Sequence, residues 1–201
     1  MKFFRKGICL FLTVIMALSL AGCGKKELSH EKMNVLVDEF DFEEYDDVED
    51  FIIHLSRFNG FENGYVSAEE DDAQELYDTA INRMHQYPSY NIDQATLFFV
   101  GEDEMVFGYL LTFEKDKKAE KFYDHYTEDD FEDGKTGEKD GYSYAIDIGE
   151  GPSSKIALEG AYLQGNKVFI LRGLVKDTDF IDDLFKELDL ISPTEADQED
   201  K

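Results

Sequence analysis

The stretch "ATLFFVGEDEMVFGYLLTFEKDKKAEKFYDHY", residues 95–126, carries the pattern on which the fold turns. Ala95–Val100 and Met105–Phe113 are rich in aliphatic and aromatic residues and flank the turn-like Gly101–Glu104, which predicts a β-hairpin. After Phe113 the period changes: Ala119, Phe122, Tyr123 and Tyr126 recur at spacings of three and four, the apolar stripe of an amphipathic helix. A second stretch, "NKVFILRGLVKDTDFIDDLFKEL", residues 166–188, shares a Val-Phe pair, a hydrophobic strand, a Lys-Asp pair and an aromatic helix with residues 104–126, offset by 61 to 63 positions. The echo is either a duplicated strand-strand-helix unit or the common look of any strand that precedes an amphipathic helix.

Upstream of the hairpin, Tyr45, Val48, Phe51, Ile52, Leu55 and Phe58 predict a helix over 43–58. A turn-rich "NGFENGY" follows, and Ser67 with Glu70 forms a capping-box pattern ahead of Ala73, Leu76, Tyr77, Ala80, Ile81 and Met84, a second helix ending before Pro88. Downstream, residues 127–141 form an acidic loop by composition. Three strands are then expected, at 142–148, 155–163 and 167–175, the last two joined by the turn "QGN". A closing helix begins near Asp177 or Thr178, buries Phe180, Ile181, Leu184, Phe185 and Leu188, and stops before Pro193. This order predicts an α+β fold: an antiparallel sheet of about five strands with helices packed on one face, in two layers.

The expected domain spans residues 41–192. "GKKELSHEKMN", residues 24–34, is polar and without periodicity, and residues 23–40 are expected to be a flexible stalk; residues 193–201 are expected to be an acidic, disordered tail. Before the stalk, Lys2, Arg5 and Lys6 precede an almost wholly apolar run from Ile8 to Leu20, the order of a signal peptide over residues 1–22. The run is too short for a permanent membrane helix, which needs about 20 residues. Its end, Leu20-Ala21-Gly22-Cys23, resembles the lipobox of bacterial lipoproteins. The resemblance implies cleavage before Cys23, a diacylglyceryl group on the Cys23 sulfur, and a lipid-anchored location on the extracytoplasmic face of the cell membrane.

The chain has 46 acidic against 20 basic side chains, a formal charge of -26. Loss of residues 1–22 removes three basic and no acidic residues, leaving 17 against 46 and a charge of -29. Such a charge repels nucleic acid, which excludes that partner class, and leaves cations, basic proteins and glycans as candidate partners beside the membrane itself. Cys9 lies in the leader and Cys23 takes the lipid, so the mature chain is expected to hold itself together by its hydrophobic core rather than by a disulfide.

No nucleophile elbow, phosphate loop or dinucleotide fingerprint occurs, and His30, His54, His85 and His125 are too dispersed for a metal-ligand spacing. No catalytic residue and no cofactor are implied. In "DDFEDGKTGEKD", Asp129, Asp133 and Asp140 fall at positions 1, 5 and 12 of an EF-hand pattern, with Phe131 at position 3, where an oxygen ligand belongs. Tyr87 and Tyr90 in "HQYPSYN" are candidate contacts for a glycan or a protein, or else anchors folded under their loop. The expected role is a binding or interaction module at the cell envelope. Two others stay open: an envelope hydrolase working through two convergent carboxylates, and an assembly factor marked by an exposed apolar patch on one sheet face.

Overall fold

A computed structural model describes residues 27–56, 63–82, 88–101, 105–131 and 134–198. The leader, Cys23 and Tyr87 lie outside the described residues. Eight strands form one sheet: β1 (Glu43–Tyr45), β2 (Gly64–Glu69), β3 (Ile92–Val100), β4 (Met105–Phe113), β5 (Lys135–Lys139), β6 (Tyr142–Glu150), β7 (Ile156–Gln164) and β8 (Lys167–Val175). Their order is β1-β2-β3-β4-β8-β7-β6-β5, antiparallel throughout except for the parallel pair β1-β2. The helices are α1 (Val35–Asp38, after a 3-10 turn at Glu31–Asn34), α2 (Val48–Ser56), α3 (Glu70–Leu76, continued by a π turn at Tyr77–Ile81), α4 (Asp116–Asp130), α5 (Asp179–Glu187) and α6 (Pro193–Gln198).

The α+β class stands, but the expected five strands become eight and the two layers become three. The reason is visible in "TLFFV" and "VFIL": a strand buried on one face alternates, whereas one buried on both reads as a continuous apolar run. On the front face Leu97, Phe99, Tyr109, Leu111, Val168 and Ile170 pack with α2, α3 and α4. On the back face Phe98, Leu110, Phe169 and Leu171 pack with α1, α5 and the last residues of the domain. The strands missing from the sequence reading, β1, β2 and β5, lie towards the edges of the sheet, and β1 and β5 are short and polar. The supposed capping box dissolves in the same way. Ser67 lies within β2, its hydroxyl 2.9 Å from that of Thr96 on β3.

Two further expectations fail at the chain ends. Residues 27–40 are no stalk: Leu28, Met33 and Leu36 are buried against the back face. Residues 193–198 form α6, with Ala196 buried. Their apolar residues are too few and too irregularly spaced to show a period, and burial comes from the sheet they meet. The internal echo also resolves. Val106 points to the back face and Val168 to the front, and α4 and α5 lie on opposite faces, so the two stretches are not superposable copies.

Glycines let large rings lie flat on this sheet. A Cβ on Gly108 would sit 2.2 Å from the ring of Phe98, its direct partner across β3-β4. Gly64 beneath Phe99 and Gly137 beneath Tyr144 repeat the arrangement.

Candidate functional site

The register places two cross-strand rows side by side on the front face, beyond the last turn of α4. One row runs Asp147 (β6), Glu159 (β7), Arg172 (β8), Phe107 (β4); the next runs Gly149, Ala157, Leu174, Met105. Because Gly149 and Ala157 are small, the second row forms a trough of about 500 Å³. Its rim is apolar where Met105, 53% exposed, stands with Phe107 and Leu174.

The charged floor has an internal order. Arg172 Nε lies 3.3 Å from Glu159 Oε1, with the carboxylate side chain 12% exposed and the guanidinium side chain 49%. The hydroxyl of Tyr126, on α4, donates to the same carboxylate oxygen. Burial, followed by the neighbouring Tyr109 and Glu159, holds the Tyr126 phenol well above its ordinary range, so it remains a donor. A hydroxyl donor and a guanidinium thus converge on one oxygen of Glu159 and compensate its charge. Asp147 is exposed and has no ion-pair partner among the described residues, although it stands directly opposite Glu159, where two like charges disfavour one another. The trough therefore holds one compensated and one open negative charge beside an apolar wall, an arrangement suited to contact with a cationic, partly apolar group.

A second polar cluster lies on the back face. His30 is buried, its Nδ1 2.7 Å from Thr96 Oγ1 and its Nε2 2.9 Å from Thr112 Oγ1. Burial first, and the charge of Lys167 second, lower its pKa to about 4. Around it Leu28 N donates to Gln164 Oε1 at 2.7 Å, and Lys167 Nζ donates to Leu28 O at 2.8 Å. The cluster clasps the incoming chain to the sheet.

The sequence-derived candidates fare differently. Asp140 sits with Gly141 in the two-residue turn between β5 and β6, both at positive φ (51° and 92°), the left-handed pair that a tight hairpin needs. The five residues of β5 carry Asp140 away from the end of α4, so the EF-hand reading gives way to a hairpin. The side chains of Asp129 and Asp133 lie outside the described residues. Among the described residues no group of three or more His, Cys, Asp or Glu is placed to hold a metal. Tyr90 is buried, edge-on to Phe113 at 5.8 Å and to Phe122 at 5.5 Å, which makes it an anchor under its loop rather than an exposed contact. Glu159 and Arg172 went unnoticed in sequence, yet each is a lone charge inside an apolar strand, "IALEGAYL" and "VFILRGLV", and that is the signal that marks them.

No protein-family model matches the chain, and no curated protein matches it. Among solved structures, it is similar to the crystal structure of the extracellular domain of PknH from Mycobacterium tuberculosis, with a TM-score of 0.42 and 10% identity over 81% of this chain and 90% of that one.

Proposed function

We propose that this chain is a lipoprotein anchored through Cys23 on the extracytoplasmic face of the cell membrane, where its domain acts as a contact module for another envelope protein. The observation that carries the reading is the trough: within a sheet whose faces are packed by helices and chain ends, the Met105-Phe107-Leu174 wall stays open beside Asp147 and Arg172. The lipobox-like Leu20-Ala21-Gly22-Cys23 supports the location. Two acyl chains hold a protein to a bilayer far more firmly than one, at about 0.8 kcal/mol for each buried methylene. An exposed apolar patch on one sheet face is what an interaction or assembly role requires.

A carboxylate hydrolase is the second reading, favoured by Asp147 and Glu159 standing opposite each other on one face. It ranks lower because a general acid must keep its proton, whereas Glu159 accepts from Tyr126 and is ion-paired with Arg172, contacts that favour the carboxylate. The test is cross-linking mass spectrometry from native membranes with a photo-reactive residue at position 105, beside a Cys23→Ala control. A partner captured by the anchored protein and lost in the control supports the reading. Failure to capture any protein through position 105 in the anchored form defeats it.

A further inference from the structure

Resting on that reading, we infer that the partner enters as an extended strand that pairs with the free half of β6 and carries an aromatic and a basic residue two positions apart. β5 pairs with β6 only from Tyr142 to Ile146, so among the described residues no strand pairs with Asp147–Glu150 on that side, and this stretch presents a sheet edge beside the trough. Such an edge presents unpaired backbone N–H and C=O groups, the template for strand addition.

The side-chain preferences follow from the register. On a strand laid beside β6, alternate residues share the front face and stand opposite Asp147 and Gly149. Asp147 is an exposed anion without an ion-pair partner among the described residues, and a Lys or Arg opposite it completes the row that already runs to Glu159 and Arg172. Gly149 is open: a Cβ there meets nothing within 4 Å. Elsewhere in this sheet Gly64, Gly108 and Gly137 each lie beneath the aromatic ring of the residue directly opposite. Gly149 is therefore an unfilled place of the same kind, and a ring over it reaches Ala157 and the apolar wall. An antiparallel entrant reads aromatic-x-basic; a parallel one reads basic-x-aromatic. The acidity of the whole chain draws a cationic segment towards the edge and repels a second copy of itself.

The test uses the full-length protein in detergent micelles and fluorescent heptapeptides of threonine that carry Tyr-Thr-Lys or Lys-Thr-Tyr at the centre, read by anisotropy. One orientation should bind, with slower amide exchange at residues 147–150. Changing the peptide Lys to Glu should weaken binding about tenfold, and Tyr to Ala about fivefold. Asp147→Lys should reverse the charge preference in favour of the Glu peptide, a swap that a folding defect cannot produce. N-methylation of one alternate set of peptide amides should abolish binding, and of the other set should not. Equal binding by both methylated sets, or no binding by either orientation at millimolar peptide, overturns strand addition. If a partner is still captured through position 105 in that case, the contact module stands without it; if none is captured, the reading beneath it falls as well.

Discussion

The two faces of the sheet are closed by different means. On the front, α2, α3 and α4 come from the middle of the chain and bury regular apolar stripes, with Phe51, Tyr77, Phe122 and Tyr126 in one aromatic layer. They stop short of the far end of β4, β8, β7 and β6 and leave the trough. On the back, the layer is assembled largely from the two ends of the domain, and individual polar contacts fix them. His30 ties the incoming chain to Thr96 and Thr112. At the outgoing end Tyr162 donates to Ile191 O at 2.9 Å while Ile191 N donates to Tyr142 at 2.8 Å, so both backbone groups of one residue are satisfied by the sheet. Stripes are permissive about single residues; a clasp of few contacts is not.

That contrast can be broken most directly at Leu36, which is fully buried on the back face. Leu36→Ala should lower unfolding stability by about 2–5 kcal/mol in urea titration, where a residue on a free stalk would give no change. His30 offers the next largest effect. Its folded pKa of about 4 lies below the unfolded 6.5, so the neutral, buried form favours folding fully above pH 6.5 and that contribution fades as pH falls towards 4. By linkage the loss is about 3 kcal/mol. His30→Gln should flatten that part of the pH-stability curve, and parallel curves for the two proteins would refute the clasp. Gly108→Ala forces the Phe98 ring off the strand and should cost about 1–3 kcal/mol, measured by thermal unfolding. At the trough, Met105→Thr should change stability by less than about 0.5 kcal/mol, since the side chain is mostly in solvent; a large loss there would mean that the front face is not open.

Much of the front layer was legible because its signals are local. The periodic stripes of α3 and α4 and the hairpin at 95–113 need only neighbours a few residues apart, and the strands at 105–113 and 167–175 coincide with β4 and β8. The back layer was not, because Leu28, Met33 and Leu36 acquire their role from a sheet formed roughly 30 to 140 residues later in the chain. "KTGEK" becomes β5 for the same reason. Its pairing is decided by the Asp140-Gly141 turn and by β6, not by its own composition. The trough was legible only in part. A lone Glu159 and a lone Arg172 in apolar strands can be noticed, but that they face each other, with Asp147 alongside, is a property of register.

The clasp at Leu28 also sets a height. On the proposed anchor, Leu28 is the fifth residue after Cys23, a link that reaches roughly 17 Å at full extension. It meets the sheet at Gln164 and Lys167, where β7 turns into β8. With that anchor the turn would lie on the bilayer side, and the trough rows at Arg172 and Leu174, five to seven residues along β8, would stand roughly 20 Å farther out. Such an anchor would make the domain a post of short reach, because the described chain is already fixed to the sheet at Leu28. Its opening would then point away from the lipid, towards neighbours whose own exposed segments pass through one narrow layer above the membrane.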